Sequence, residues 1–256
     1  MPPGPPYDII GDVHGCHAEL QALLTRLGYA WGADGLPRHP EGRVVVFVGD
    51  LVDRGPASDA VLTLAMRMCE QGAALAVVGN HDDKLARKLR GRNVKIAHGL
   101  ERTLTQIAPW SDVERDAAAA FILALPHHLI LDEGRLVVAH AGLDALRHGT
   151  DGPRTRALCL YGPTTGKLDA DGLPQRIDWA LGYTGEPLVV YGHTPVTEAR
   201  WVGRTLCIDT GCVFGGALTA LRYPELERVQ VPAEQVWMPA PRPLKPPPPT
   251  STSAPA

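Results

Sequence analysis

The chain has 256 residues, 45% of them apolar, and a formal net charge of −3. This is enough chain for one large domain or two small ones, and the charge balance excludes global disorder and a general nucleic-acid-binding field. No apolar run approaches membrane-spanning length, and the start MPPGPPYDII lacks the basic-then-apolar pattern of a secretion signal. A soluble, cytoplasmic protein is expected. The five cysteines (Cys16, Cys69, Cys159, Cys207, Cys212) form no CxxC pair and read as reduced thiols.

Residues 1–6 read as a flexible Pro/Gly leader. Residues 7–10 predict a short buried strand that runs into Gly11-Asp12-Val13-His14-Gly15. Asp12 and His14 are two apart, so extended backbone projects a carboxylate and an imidazole to one face, a plausible metal pair. Leu20, Leu23, Leu24 and Leu27 give helical spacing over residues 16–27, ended by Gly28. Residues 31–42 read as a polar loop.

The run RVVVFVGDLVDRGP, residues 43–56, dominates the chain. Val44 to Val48 is the unbroken apolar stretch of a strand buried on both faces. It breaks at Gly49 and delivers Asp50, Asp53 and Arg54 into a turn. Two carboxylates and a guanidinium at the end of a buried strand are costly unless a cation site and a docked phosphate use them. Ser58 is a candidate cap for a helix through Cys69, and residues 73–78 predict another strand, leading into Gly79-Asn80-His81-Asp82. Strand, helix and polar turn repeat three times, which argues for an α/β sheet with ligands at the strand ends.

Downstream, helices are expected over residues 82–90 and 111–125, and a strand pair over residues 128–131 and 135–139, ending at His140. Residues 144–187 show little periodicity and read as a rim or cap over the site. Residues 188–191 lead to Gly192-His193-Thr194-Pro195, and residues 206–209, 217–222 and 227–231 read as an antiparallel closing set. One folded domain over residues 7–238 is followed by PAPRPLKPPPPTSTSAPA, residues 239–256, a low-complexity tail expected to be disordered.

Five polar elements thus follow apolar strands in order: Asp12/His14, Asp50/Asp53/Arg54, Asn80/His81, His140 and His193. Mixed carboxylate, imidazole and amide donors suit borderline divalent metals, and this many donors suit two ions. The motifs GDVHG, GDLVDRG, GNHD, VVAHAG and YGHTP resemble the full signature of the calcineurin-like metallophosphatases, in the GDxxDRG form of the phosphoprotein-phosphatase branch. The runs GRNVKIAHGLERT, LYGPTTG and IDTGCVFGGALTALRYPE are similar to two bacterial groups: stand-alone bis(5′-nucleosyl)-tetraphosphatases, and the phosphatase module of polynucleotide kinase-phosphatases.

The resemblance implies a two-sheet β-sandwich flanked by helices, with a dinuclear metal site at the strand ends. It implies Asp12, His14 and Asp50 as ligands of one metal, with Asp50 bridging to a second held by Asn80, His140 and His193. The metals are expected to be manganese first, with nickel, iron or zinc as alternatives. Arg54 is implied to grip the phosphate, and His81, supported by Asp53, to protonate the leaving group after attack by a metal-bridged hydroxide. Asp209 matches an aspartate near the metals in the polynucleotide group. The segment 81–95 sets six cations (Lys84, Arg87, Lys88, Arg90, Arg92, Lys95) against Asp82 and Asp83. Its Lys84 and Arg87 either steer a polyanion or form a solvated helix face with pairs such as Asp83–Arg87. Arg176 is a candidate second phosphate contact. The expected substrates are dinucleoside tetraphosphates; 2′ or 3′ RNA ends and phosphoproteins are the enzymatic alternatives. A partner-binding role through the Pro-rich tail is the non-enzymatic one.

Overall fold

The computed structural model describes residues 4–169, 172 and 174–246. In chain order the elements are β1 (Tyr7–Ile10), α1 (His17–Arg26), β2 (Ala30–Trp31), β3 (Pro37–Arg38), β4 (Val44–Phe47), α2 (Ser58–Glu70) and β5 (Ala74–Ala76). They continue with α3 (Asn80–Leu89), α4 (Leu100–Gln106), α5 (Asp112–Ala124), β6 (His128–Leu131), β7 (Leu136–Ala139) and α6 (Pro153–Tyr161). The last are β8 (Thr164–Leu168), β9 (Pro174–Arg176), β10 (Leu188–Tyr191), β11 (Trp201–Val202), β12 (Thr205–Cys207), β13 (Ala217–Tyr223) and β14 (Glu227–Pro232).

Two five-stranded sheets form the centre, ordered β14-β13-β1-β4-β5 and β11-β12-β10-β7-β6. In the first, β1, β4 and β5 are parallel; in the second, β7, β10 and β12 are parallel. Alternation along the strands explains why β4 reads as continuously apolar. Val46 and Val48 pack with Ile9, Val138 and Val190 between the sheets. Val45 and Phe47 pack with Ile10, Leu20, Leu62 and Leu85 beneath the helices. A strand apolar on both faces is the expected signature of this middle position. The parallel strands of both sheets deliver their carboxyl ends to one crevice, where ligands collect in open α/β sheets.

A buried ion network anchors the opposite end of β1. Arg43 Nε donates to Asp8 Oδ2 at 3.0 Å, Nη2 donates to the Tyr7 carbonyl at 2.9 Å, and Nη1 donates to Glu225 Oε1 at 2.8 Å. Asp8 is fully buried. Arg43→Ala should therefore lower the unfolding free energy by roughly 3–5 kcal/mol, since it strips a buried carboxylate of its main cation. Urea denaturation followed by circular dichroism measures this.

Several expectations are corrected. Residues 31–42 carry the second strand of the small β2–β3 hairpin rather than loop alone. Helix α3 begins at Asn80, two residues earlier than its apolar pattern indicates, because Gly79 takes the N-cap place and Asp82 supplies the return hydrogen bond of a capping box. Ser58 is the first residue of α2 rather than its cap; its hydroxyl accepts from the Asp53 N–H at 3.1 Å instead. Strand β12 pairs parallel to β10, so it belongs to the site-forming strands and not to an antiparallel closure. Helix α4 and helix α6 were not legible as periodic segments. Within the stretch expected to be disordered from residue 239, Lys245 is paired: its N donates to the Pro195 carbonyl and Thr197 N to the Lys245 carbonyl, both at 2.9 Å. The remaining tail, 247–256, and residues 1–3 of the leader lie outside the described residues. Among the described residues no helix is long and apolar enough to cross a membrane.

Candidate active site

The strand ends turn sharply, and several site residues leave them at positive φ: His14 (45°), Asp50 (50°), Asp53 (73°), Arg54 (71°) and His193 (69°). Each such non-glycine residue costs about 1–3 kcal/mol and persists only where its surroundings enforce it. Here the turns lock one another. His14 N donates to the Asp50 carbonyl at 2.8 Å, and Gly15 N to the Leu51 carbonyl at 2.9 Å. Asp82 Oδ1 accepts from Leu51 N at 2.9 Å and its Oδ2 accepts from Gly79 N at 3.0 Å. The turns also demand glycine for close approach: a Cβ on Gly192 would lie 1.9 Å from Asp12 Oδ1. Gly192→Ala should push that carboxylate aside and weaken divalent-metal binding about 10–100-fold, as read by calorimetric titration of the metal-free protein.

The imidazoles are oriented by acceptors. His14 Nδ1 lies 2.8 Å from the Val52 carbonyl and His140 Nδ1 lies 3.0 Å from the Val48 carbonyl. A carbonyl only accepts, so each Nδ1 carries the proton and each Nε2 carries a lone pair. His140 Nε2 then faces Asn80 Oδ1 at 3.0 Å, His193 Nδ1 at 3.0 Å and Asp50 Oδ2 at 3.4 Å. Asp50 Oδ2 is also 3.5 Å from His14 Nε2, so it sits between two imidazoles. Lone pairs converging in this way repel unless a cation lies among them. Asp12 adds to the demand: its Oδ2 accepts from His193 N at 3.0 Å, while its Oδ1 is buried without a partner. The donors form two compact sets, His14–Asp50–His81 and Asp50–His140–His193, within each of which the ligand atoms lie within 4.8 Å of one another. Asp50 is common to both. The residues fit two divalent cations sharing one carboxylate.

The electrostatics agree. Burial pushes the Asp50 and Asp82 carboxyls up to about 7 and that of Asp209 up to about 6. Asp12 is raised well above the usual range, first by burial and then by Asp209 and Asp50. His14, His81 and His193 are driven well below the ordinary imidazole value by burial, and His140 to about 3 for the same reason. Neutral imidazoles and crowded carboxyls are the arrangement that a bound cation relaxes, because its charge makes the ionised acids favourable.

Arg54 stands over this floor. Its Nη1 is 2.5 Å from His14 Nε2, its Nη2 is 2.8 Å from His81 Nε2, and its guanidinium lies 5.2 Å from the centroid of the Phe214 ring. His81 Nδ1 is 2.6 Å from Asp53 Oδ2, and Asp53 Oδ1 accepts from the Thr103 hydroxyl at 2.6 Å. Burial pushes the Asp53 carboxyl up to about 7.

The structure therefore brings Asp12, His14, Asp50, Asp53, Arg54, Asn80, His81, His140 and His193 together. Asp209 is buried beside them, its Oδ1 accepting from Gly211 N at 3.0 Å. Arg176, from β9, reaches the rim and donates to the Thr194 hydroxyl at 2.5 Å. Lys84 is tied to the Ala97 carbonyl at 2.7 Å, and Arg87 pairs with Asp83 at 3.3 Å, the helix-face pairing. Sequence reasoning missed Thr103, Ser58 and Asp82 as supports of the site. Thr103 lies in the GLERT run, and Asp82 follows His81 directly in the GNHD motif.

Two donor sets sharing a carboxylate under an arginine, at the strand ends of a two-sheet α/β sandwich, define a metallophosphoesterase. The profile of the calcineurin-like phosphoesterase family matches residues 5–203, and the chain belongs to that family of hydrolases. It is similar to the bis(5′-nucleosyl)-tetraphosphatase PrpE (asymmetrical) of Anoxybacillus flavithermus, with 48% identity over 91% of this chain and 96% of that protein. The protein of the same name from Bacillus subtilis is 48% identical over 89% of this chain and 94% of its own. A solved structure described as a candidate diadenosine tetraphosphatase superposes with a TM-score of 0.64 at 26% identity, covering 90% of this chain and 94% of that one.

Proposed function

We propose that the chain hydrolyses dinucleoside tetraphosphates asymmetrically, to a nucleoside triphosphate and a nucleoside monophosphate, with two divalent metal ions. The convergence of the two donor sets on Asp50 beneath Arg54 carries this reading, and the names borne by the relatives supply the substrate class. Manganese is the metal expected first, since it accepts mixed carboxylate, imidazole and amide donors; nickel, iron and zinc accept them too. Asp12, whose buried Oδ1 has no partner, joins His14 and Asp50 on one ion, and Asp50, Asn80, His140 and His193 are assigned to the other; His81, within reach of the first set, is kept for proton transfer. When bound, the ions supply Lewis acidity, lowering the pKa of water and neutralising phosphate charge.

The protein's own groups do the rest. Arg54 turns from the histidines to the phosphate and pairs with its oxygens, a planar fork suited to bidentate contact. Water adds to phosphorus and releases one proton to solvent, the bond to the bridging oxygen breaks with its electron pair on that oxygen, and the oxygen takes a proton from His81, which regains one from solvent. Asp53, held by Thr103, orients His81 and stabilises its protonated form. Arg176 is assigned to the phosphate chain at the rim, with Lys84 and Arg87 contributing positive field. The five free thiols fit a reducing compartment, and the cytoplasm is the proposed location.

The test is product chromatography after incubation with diadenosine tetraphosphate beside an RNA oligonucleotide ending in a 3′-phosphate, each in manganese and in nickel. ATP and AMP from the dinucleotide, with little phosphate from the RNA, is the expected result. Phosphate from the RNA end alone would overturn the substrate assignment and leave the metal chemistry standing.

A further inference from the structure

Next to the donor cluster a cavity of about 120 Å³ opens between α6, the turn after β9 and the strap formed by residues 242–246. Three aromatic side chains line it: Tyr161, Trp179 and Tyr191. Trp179 and Tyr191 lie 5.0 Å apart by ring centroid, tilted by 58°. Trp179 is seated on the Gly142 backbone just beyond His140; a Cβ there would come within 1.9 Å of the indole. Tyr161, at the end of α6, is 44% exposed and stands at the mouth. His193 and Arg176 also line the cavity, so it begins where the donor cluster ends.

The far wall is pinned in place. Lys245 pairs along the backbone with Pro195 and Thr197, and its Nζ meets Asp178 Oδ2, beside Trp179, at 2.6 Å. Arg242 reaches Asp169 at 2.8 Å. The strap thus fixes both the turn that carries Trp179 and the β8–β9 hairpin that carries Arg176. The cavity combines a phosphate-binding end with aromatic walls. Asp178, Glu198, Arg200 and Lys245 also line it, polar groups able to meet the edge of a planar ligand, and nucleobases stack on aromatic rings whatever their identity.

We infer that this cavity receives the nucleobase of the nucleotide whose phosphate lies on the donor cluster, with Tyr161 and Trp179 as its stacking residues. The inference rests on the nucleotide reading above. It further assigns Arg176 to the junction between base and phosphate, and the strap of residues 242–246 to keeping the slot in shape.

The deciding experiment uses the full chain loaded with manganese and p-nitrophenyl phosphate as reporter. Inhibition constants are measured for AMP and for ribose 5-phosphate, which carries the same sugar and phosphate without the base. Stacking strengths imply that AMP inhibits about 5- to 150-fold more tightly in the wild type. The ratio should fall toward one in Tyr161→Ala and in Trp179→Ala. Equal constants in the wild type, or a ratio unmoved in Tyr161→Ala, would overturn the assignment. Tyr161 is partly exposed, so its variant decides the matter if Trp179→Ala does not fold. Failure of the wild type to cleave diadenosine tetraphosphate would remove the substrate reading, while the inhibitor ratio would still decide the pocket.

Discussion

Asp50→Asn is expected to reduce turnover on the order of 10³-fold or more, because the metals supply several kcal/mol of charge stabilisation and Asp50 is the donor common to both sets. Bound metal, read by plasma mass spectrometry after desalting, should fall from two ions to at most one. The same change should have the opposite effect on the stability of the metal-free protein. Burial raises the Asp50 carboxyl to about 7, against about 4 for an unfolded aspartate. Below pH 4 the group is protonated in both states and carries no penalty. As pH rises toward 7 the unfolded chain releases this proton first, so the native state loses stability through that window and the penalty then stays constant. Asparagine has no such penalty, and its amide can donate to the lone pair of His14 or His140. In chelator at pH 8 the variant should therefore melt above the wild type, with the gap closing toward pH 4. In excess manganese the order should reverse, since ligand binding to the native state stabilises the wild type. A variant that melts below wild type in both conditions would mean that Asp50 is structural rather than a metal donor.

The fold and the grouping of the motif side chains at one crevice were legible in the sequence for a physical reason. A strand buried on both faces must be continuously apolar, so the abrupt change from Val48 to Gly49 and Asp50 marks the strand end. Each site motif sits at such a change. What escaped was set by short elements and long-range contacts. Helix α4 spans seven residues, too few for a 3.6-residue period to show, yet it carries Thr103 to Asp53. Helix α6 begins with Pro153, a good first-turn residue, but lies within a Gly/Pro-rich stretch that hides it. The strap around Lys245 pairs with residues near 196, and a Pro-rich composition gives no sign of that partner. Charge counting alone could not show where the cations after His81 are held: Lys84 and Arg87 are engaged locally and Arg90 pairs with Asp116 at 2.9 Å, so whatever field they supply comes from fixed positions.

His81→Ala should lower turnover by an amount that depends on the leaving group. General acid catalysis is worth about 10²–10⁴-fold where a basic oxygen departs, and little where the departing anion is already stable. An alkyl phosphomonoester should therefore lose the full factor and p-nitrophenyl phosphate less than about tenfold, with the dinucleotide between them. The resting geometry shows how the acid is controlled. Burial first and Arg54 second hold His81 below its usual proton affinity, with Arg54 Nη2 2.8 Å from its Nε2. A phosphate that draws Arg54 away removes this cation and places negative charge beside the ring, while the Asp53 carboxylate remains 2.6 Å from Nδ1. Both changes favour protonation of Nε2, the atom that faces the substrate. The wild type should accordingly lose kcat at high pH as this proton is released from the enzyme–substrate complex, and His81→Ala should lack that limb. If the variant instead slowed all leaving groups equally, His81 would be serving as a metal or phosphate positioning residue, as its place beside His14 and Asp50 also permits. Leaving-group dependence separates the two roles because only proton transfer senses the basicity of the departing oxygen.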